Sequence, residues 1–212
     1  MSSSIIGRAV EKELVAINFH QLRDYSEDKH RRVDDRPYGG GPGMVMGCET
    51  LFRAIEDLRK PETKVIFMSP CGEVFDQRKA EAFSEEQHLL LLCGHYEGID
   101  QRVIDSLVDQ EISIGDYILS NGNLAAMVVT DAIVRLLPGA LGCAESAISE
   151  SFNEEDGLLE YPQYTRPENF RNMQVPEVLL SGNHKKIKHW RTQQSQLRTE
   201  TRRPDLLKGD TQ

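Results

Sequence analysis

Hydrophobic residues fall in short blocks along this chain, with polar turns between them. Residues 64–68 (KVIFM), 89–93 (LLLLC) and 111–114 (EISI) are compact apolar runs, too short for helices, and they predict buried strands. Each runs into a turn: SPCGEVFDQ at 69–77, GHYEGID at 94–100 and GDYILSNG at 115–122. Helical spacing marks 5–14, 76–83 and 123–137. It also marks 50–60 (Leu51, Ala54, Ile55, Leu58), with Thr50 as N-cap and Pro61 as terminator. Residues 15–22 read as a strand after the first helix. Strand, turn, helix, strand is the rhythm of a parallel sheet with helices on its faces. The turns near Gly72, Gly94 and Gly115 are therefore expected to gather at one end of the sheet, where open α/β sheets place ligands. The stretch 89–137 is the candidate cofactor site.

Two regions break this rhythm. DDRPYGGGPGM at 34–44 holds four glycines and two prolines, which excludes helix and disfavours strand. It predicts a loop whose backbone closely approaches another group, held by Asp35 and Arg36 and anchored by Tyr38, Met44 and Val45. Residues 143–160 are small and acidic and predict a mobile loop joining two units. YPQYTRPENF then predicts an extended segment laid on a surface. Residues 178–182 lead into Asn183 as N-cap of a helix over 184–198, and Arg203-Pro204 begins a short last element.

Composition sharpens the picture. With 212 residues, 39% hydrophobic and 28% charged, the chain has enough apolar material for one large domain or two modest ones. No apolar run approaches the roughly 20 residues of a bilayer-crossing helix, and the N-terminus does not read as a signal peptide. Cys48, Cys71, Cys93 and Cys143 stand far apart and read as reduced thiols of a cytosolic protein. The histidines show no metal-ligand spacing. A net charge of -9 argues against nucleic-acid binding by overall charge. A local basic surface is nonetheless available, because Lys185, Lys186, Lys188, Arg191, Arg198, Arg202 and Arg203 crowd into a basic tail behind an acidic body.

None of the glycine turns is a GxGxxG or Walker loop, so dinucleotide and ATP phosphate sites lack their signature. Asp116 and Tyr117 beside apolar Ile118, Leu119 and Leu124 suit an adenine or a thioether. Glu97 and Asp100 are candidates for binding hydroxyls or an ammonium group, or equally for a helix N-cap or first-turn charge.

DDRPYGGGPGM, GHYEGID, SIGDYILSNG and the PGALG after Arg135 closely resemble the bacterial tRNA (guanine-N1)-methyltransferase family, over about residues 7–207. That family belongs to the SPOUT class. The resemblance implies a parallel α/β sheet with flanking helices and a deep trefoil knot over 1–142, a mobile interdomain loop at 143–163, and a truncated helical tRNA-binding domain at 164–212. It implies methyl transfer from S-adenosylmethionine to N1 of guanosine 37 of tRNA, by a cytoplasmic homodimer whose active site lies between protomers. By the family pattern the cofactor contacts Ser69, Pro70, Gly94, Tyr96, Glu97, Ile114, Gly115, Asp116, Tyr117, Ile118 and Leu119, with Gly122 close by. Arg135 matches an arginine that steadies charge on the guanine. Glu150, in ESF, stands where the family has an aspartate as general base. Asp35, Arg36, Tyr38, Glu160, Tyr164, Arg166, Lys185, Lys188, Arg202 and Arg203 fall on the tRNA side or at the interface.

The chemistry accounts for such a pair. Guanine N1 is a poor nucleophile until its proton leaves; a carboxylate can take that proton while a cation offsets charge growing on O6. Three departures from the family pattern stand out. The usual opening strand ending in FPEMF is absent before MSSSIIGRAV, the C-terminus stops before the last helices, and Asn121, Asn123 and Ala125 replace Gly, Glu and Pro. These predict a sheet with exposed apolar neighbours and a looser cofactor turn. They also leave an alternative, a non-catalytic tRNA-binding or dimerisation module of the same fold.

Overall fold

A computed structural model of the chain describes residues 4–141, 150–152 and 157–207. It divides into two compact units, Met1–Gly142 and Cys143–Gln212.

In the first unit, helix α1 (Ile5–Glu11) is capped by Ser4, whose side chain accepts from the Gly7 amide. Residues 15–21 form no strand, contrary to expectation. Their apolar side chains act singly: Val15 packs with Ala9, Val134 and Ala140, while Phe19 is 87% exposed. Strand β1 (Asp34–Asp35) pairs antiparallel with β2 (Val45–Met46), so the glycine-rich stretch is the loop of a small hairpin. Helix α2 (Cys48–Leu58) starts earlier than predicted, with Gly47 as N-cap. Thr50 lies inside it and is buried, so it is not the cap.

The sheet follows. Strand β3 (Thr63–Val74) lies at the centre, parallel to β4 (His88–Cys93) on one side and β5 (Gln110–Ser113) on the other. Between them come α3 (Gln77–Ser84), capped by the Asp76 side chain, and α4 (Gln101–Leu107), which the apolar pattern had not indicated. Helix α5 (Asn123–Val134) ends before Leu137 in tight turns ahead of Pro138. Successive β3 residues point to opposite faces. Val65 and Phe67 pack with Leu51, Ile55 and Val103 of α2 and α4; Ile66 and Met68 pack with Phe83, Val129 and Ile133 of α3 and α5. Each fully buried aliphatic chain contributes about 1.5–3 kcal/mol, so these two layers hold the sheet. As an edge strand, β4 has half-buried leucines throughout.

One expectation about β3 fails. The Pro-Gly run after Met68 does not end the strand. Met68 and Glu73 both pair with Ile112, so residues 69–72 bulge outward and pairing then resumes. Pro70, which has no amide to donate, sits exposed in the bulge. Gly72 allows the return, since a Cβ there would lie 2.4 Å from the backbone of Glu111 and Ile112.

In the second unit, residues 157–165 run extended and are tied down along one side. The Leu159 amide donates to Thr199 Oγ1 (2.9 Å) and the Arg198 guanidinium donates to the Glu160 carbonyl (3.2 Å). A hairpin not foreseen from the sequence follows, β6 (Asn169–Phe170) and β7 (Met173–Gln174), turning through Arg171 and Asn172 at φ 50° and 64°. Then come α6 (Glu177–Leu180) and α7 (His184–Arg202), the latter capped by Asn183 through the Lys186 amide. Helix α7 is longer than predicted, and a 3-10 turn at Pro204–Leu207 closes the described chain. The stretches 142–149 and 153–156, and with them part of the expected mobile loop, lie outside the described residues.

Candidate active site

The parallel register delivers three chain segments to one place. Met68 stands beside both Cys93 and Ile112, so Ser69 and Gly94 leave this register side by side, while Ser113 pairs with Val74 beyond the bulge. Ser69 is buried, and its hydroxyl accepts from the Cys71 amide (3.2 Å). The Gly122 amide donates to the Gly94 carbonyl at 2.9 Å. A Cβ on Gly122 would lie 2.9 Å from Cys93 Cα, 3.0 Å from Gly94 N and 3.2 Å from Met68 Cβ, so only glycine fits there without movement. His95 bridges to Asn121, whose side chain accepts from the Asn123 amide (2.9 Å). The Asn121 side chain thus fastens the turn locally through the backbone amide of Asn123, while Ala125 is buried.

Beyond β5 the turn is held by its own side chains. Ser113 Oγ accepts from the Gly115 amide and donates to the Gly115 carbonyl, both at 3.2 Å. Gly115 has φ 144°, and the Tyr117 ring lies where a Cβ would otherwise project. The Tyr117 hydroxyl donates to the Ile114 carbonyl (3.1 Å). Around these backbone turns Tyr96, Tyr117, Ile118 and Leu124 keep half or more of their surface exposed. Leu119 is half-buried against the α5 layer, and Asp116 faces solvent. Burial pushes the Cys93 thiol up from its ordinary value, consistent with a protonated core residue.

The glycine-rich hairpin is stitched to the same region. The amide of Glu97 donates to the Met44 carbonyl (3.1 Å), that of Met46 to Gly98 (3.0 Å) and that of Asp100 to Met46 (3.0 Å). The His95 amide points at Met46 Sδ (3.2 Å). The Glu97 side chain fills the space beside Gly43 that a Cβ would need, and Gly43 has φ 83°. Asp35 accepts from the Arg36 amide, but Tyr38 is fully exposed and anchors nothing. Asp100 caps α4 and pairs with Arg102, whose guanidinium hydrogen bond holds the carboxyl below its usual range. Of the two roles open to it, the structure shows the cap.

Other predicted residues lie elsewhere. Arg135 follows the last turn of α5, half-buried, roughly 20 Å along the helix axis from Gly122 at about 1.5 Å per residue. Glu150 belongs to the second unit, beside a groove that Tyr161, Lys188 and Arg191 also line. The Glu160 amide donates to the Ser151 hydroxyl (2.9 Å), Tyr164 leans on Trp190, and Arg166 is exposed. Lys185, Lys188 and Arg202 are exposed on α7, and Arg203 pairs with Asp205.

The family model described as tRNA (Guanine-1)-methyltransferase TrmD matches residues 1–209. The chain belongs to this family. It is 56% identical to the tRNA (guanine-N(1)-)-methyltransferase of Moorella thermoacetica over 98% of this chain and 84% of that one. It is 54% identical to that of Carboxydothermus hydrogenoformans, over 98% and 81%, and 53% identical to that of Listeria innocua, over 98% and 85%. No helix among the described residues is long and apolar enough to cross a membrane. The sequence reading named Arg191 only as part of the basic tail and Gly43 only within its motif, and it passed over Trp190. The signal for Trp190 was present as an aromatic close to Lys188 and Arg191 in a basic helix.

Proposed function

We propose that this chain transfers a methyl group from S-adenosylmethionine to N1 of the guanosine at position 37 of tRNA, working as a cytoplasmic homodimer. The observation that carries this reading is the meeting of Gly94, Gly122 and the Ser113–Tyr117 turn at one end of the parallel sheet, in a chain of this family. The donor set fits the cofactor: glycine backbone without side chains allows close approach to a flat base, and exposed Tyr96, Ile118 and Leu124 offer apolar contact to its faces. When bound, S-adenosylmethionine supplies an electrophilic methyl group on a sulfonium. The contact of Gly122 with Gly94 supports the reading of the intervening chain as the loop of a trefoil knot. Ser69, Pro70, Glu97 and Ile114 through Leu119 line or hold this end.

The residues that act on guanine come from farther away. Arg135 offsets the charge that grows on O6, and Glu150 accepts the N1 proton. Since Arg135 is a helix length from Gly122 on its own chain, a second copy completes the site. Helix α5 supports that reading: Leu124, Met127 and Val128 are at least half exposed at helical spacing, the kind of apolar face that a second subunit covers. The tRNA-side residues, from Asp35, Arg36 and Tyr38 to Arg203, give the local cations and contacts an acidic protein needs to hold phosphates.

The test is transfer of labelled methyl to a tRNA transcript with guanosine at position 37. A transcript with adenosine there should accept none, and Glu150→Gln should lower the rate by about 100-fold or more. Transfer that survives Glu150→Gln would remove the base assignment. No transfer by the parent protein would favour the non-catalytic module.

A further inference from the structure

The peptide group between Gly94 and His95 is held at both of its ends. Its carbonyl, on Gly94, accepts from the Gly122 amide at 2.9 Å. Its N–H, on His95, donates to the thioether sulfur of Met46 at 3.2 Å. The first bond is backbone to backbone. The second depends on one side chain, and that side chain is buried, packed with Phe67, Ile99 and Val103. Leucine or isoleucine would fill such a place, but neither accepts a hydrogen bond, whereas a thioether is a weak acceptor. Gly94 has no Cβ to resist rotation of this peptide, so the sulfur and Gly122 fix a plane that glycine leaves free.

The rest of β2 is fastened along the same turn. The Met46 amide donates to the Gly98 carbonyl and the Met46 carbonyl accepts from the Asp100 amide, both at 3.0 Å. The Met44 carbonyl accepts from the Glu97 amide at 3.1 Å. Between these anchors Tyr96 adopts φ 58°. A tyrosine persists in the left-handed region only where its neighbours over-determine the backbone. After Tyr96 the anchors to β2 are backbone; before it, β2 reaches the chain through the Met46 sulfur.

We propose that Met46 is a positioning residue for the cofactor. Its sulfur fixes the plane of the Gly94–His95 peptide and so preforms the turn that presents Tyr96 and Glu97 to S-adenosylmethionine. The inference rests on the proposed methyltransferase activity and adds to it a residue that the cofactor does not touch. A turn that is already set costs the ligand little to order. One that wanders lowers affinity by the fraction of molecules out of position. A methionine that only fills space makes no such contribution, and leucine replaces it without loss.

The experiment uses the full chain as parent, as Met46→Leu, and as the parent with all six methionines replaced by norleucine, which keeps the shape and puts CH2 in place of sulfur. Three quantities are measured: affinity for S-adenosylmethionine, the exchange rate of the His95 amide, and methyl transfer to a tRNA transcript with guanosine at position 37. Met46→Leu should weaken cofactor binding about two- to tenfold, the range that one lost hydrogen bond gives. KM for the cofactor should rise by the same factor, with kcat at saturation within about twofold of the parent. The His95 amide should exchange faster by a similar factor. Norleucine should reproduce these effects and add nothing to them within Met46→Leu, while selenomethionine, whose selenium still accepts, should leave the parent values. If Met46→Leu does not fold, the norleucine protein decides by the same readings. Unchanged cofactor affinity in Met46→Leu or in the norleucine protein would overturn the role of the sulfur. Weaker binding with unchanged His95 exchange would assign the effect to packing and overturn it equally. A parent that does not bind S-adenosylmethionine would overturn the proposed function itself, whereas free exchange of His95 in a parent that binds and methylates would overturn the sulfur contact alone.

Discussion

The two units present surfaces built on opposite plans. At the sheet end of the first, the working surface is backbone. Gly122 brings chain against chain with no room for a methyl group, and Gly94 and Gly115 lie close against the rings of Phe67 and Tyr117, over a core of buried strands and helices. In the second unit the working surface is side chain. Lys185, Lys188, Tyr164 and Arg191 project from α7 and its neighbouring segment, and Thr199 alone is buried among the described residues there. The first plan suits a small ligand, whose edges must be matched to a fraction of an ångström. The second suits a large polyanion, which is held by many separate contacts, each replaceable. The contrast predicts that the first unit fails at single atoms and the second weakens by degrees.

The most damaging test is Gly122→Ala. The atoms its methyl meets are mainly backbone of Cys93 and Gly94, which cannot rotate away. We expect a loss of about 1–3 kcal/mol in urea unfolding and disappearance of the thermal stabilisation by S-adenosylmethionine that mass action otherwise gives. Unchanged stabilisation would break the claim that this turn is shaped for the ligand. Gly43→Ala should do less. Its φ of 83° disfavours any side chain, but the obstruction is the flexible Glu97 carboxylate, which has room to turn. A loss of about 1 kcal/mol is expected from the same unfolding measurement. A larger loss would mean that the hairpin, too, is matched atom to atom. Lys185→Ala is the mildest. Stability should stay within about 0.5 kcal/mol of the parent, while the slope of log tRNA affinity against log salt falls by about 1. A change in stability without a change in slope would assign Lys185 to the fold instead of to the tRNA.

Much of the first unit was legible because its signals are local. The runs at 64–68, 89–93 and 111–114 read as strands and are strands, and in the second unit Asn183 announces its helix as a cap. What escaped was decided by distant partners. Val15 to Leu22 alternates like a strand, yet no neighbouring backbone is offered to it. Pro70 and Gly72 look like a strand end, but β5 lies close enough for β3 to bulge and resume. Thr50 looks like a cap because nothing local reveals that Gly47 has already turned the chain. The motifs around Gly94 and Gly115 pointed to the site, but the pairing of Gly94 with Gly122 depends on the fold between them. The groove beside α7 was hidden for the same reason, since Tyr161 and Tyr164 meet Trp190 and Arg191 only across a fold in the chain.

The hydrogen bond from Gly122 to Gly94 also joins segments that leave the ribosome at different moments. Strands β3 and β4 can pair early, but the end of β4 has no lid until β5 and α5 have been made. Closing so wide a loop is entropically costly, and such non-local contacts form slowly. The Gly94–Gly122 contact is thus among the last features the first unit acquires during its synthesis. Until then the face of β3 and β4 that carries Ile66, Met68, Leu89 and Leu91 waits for α5 to cover it.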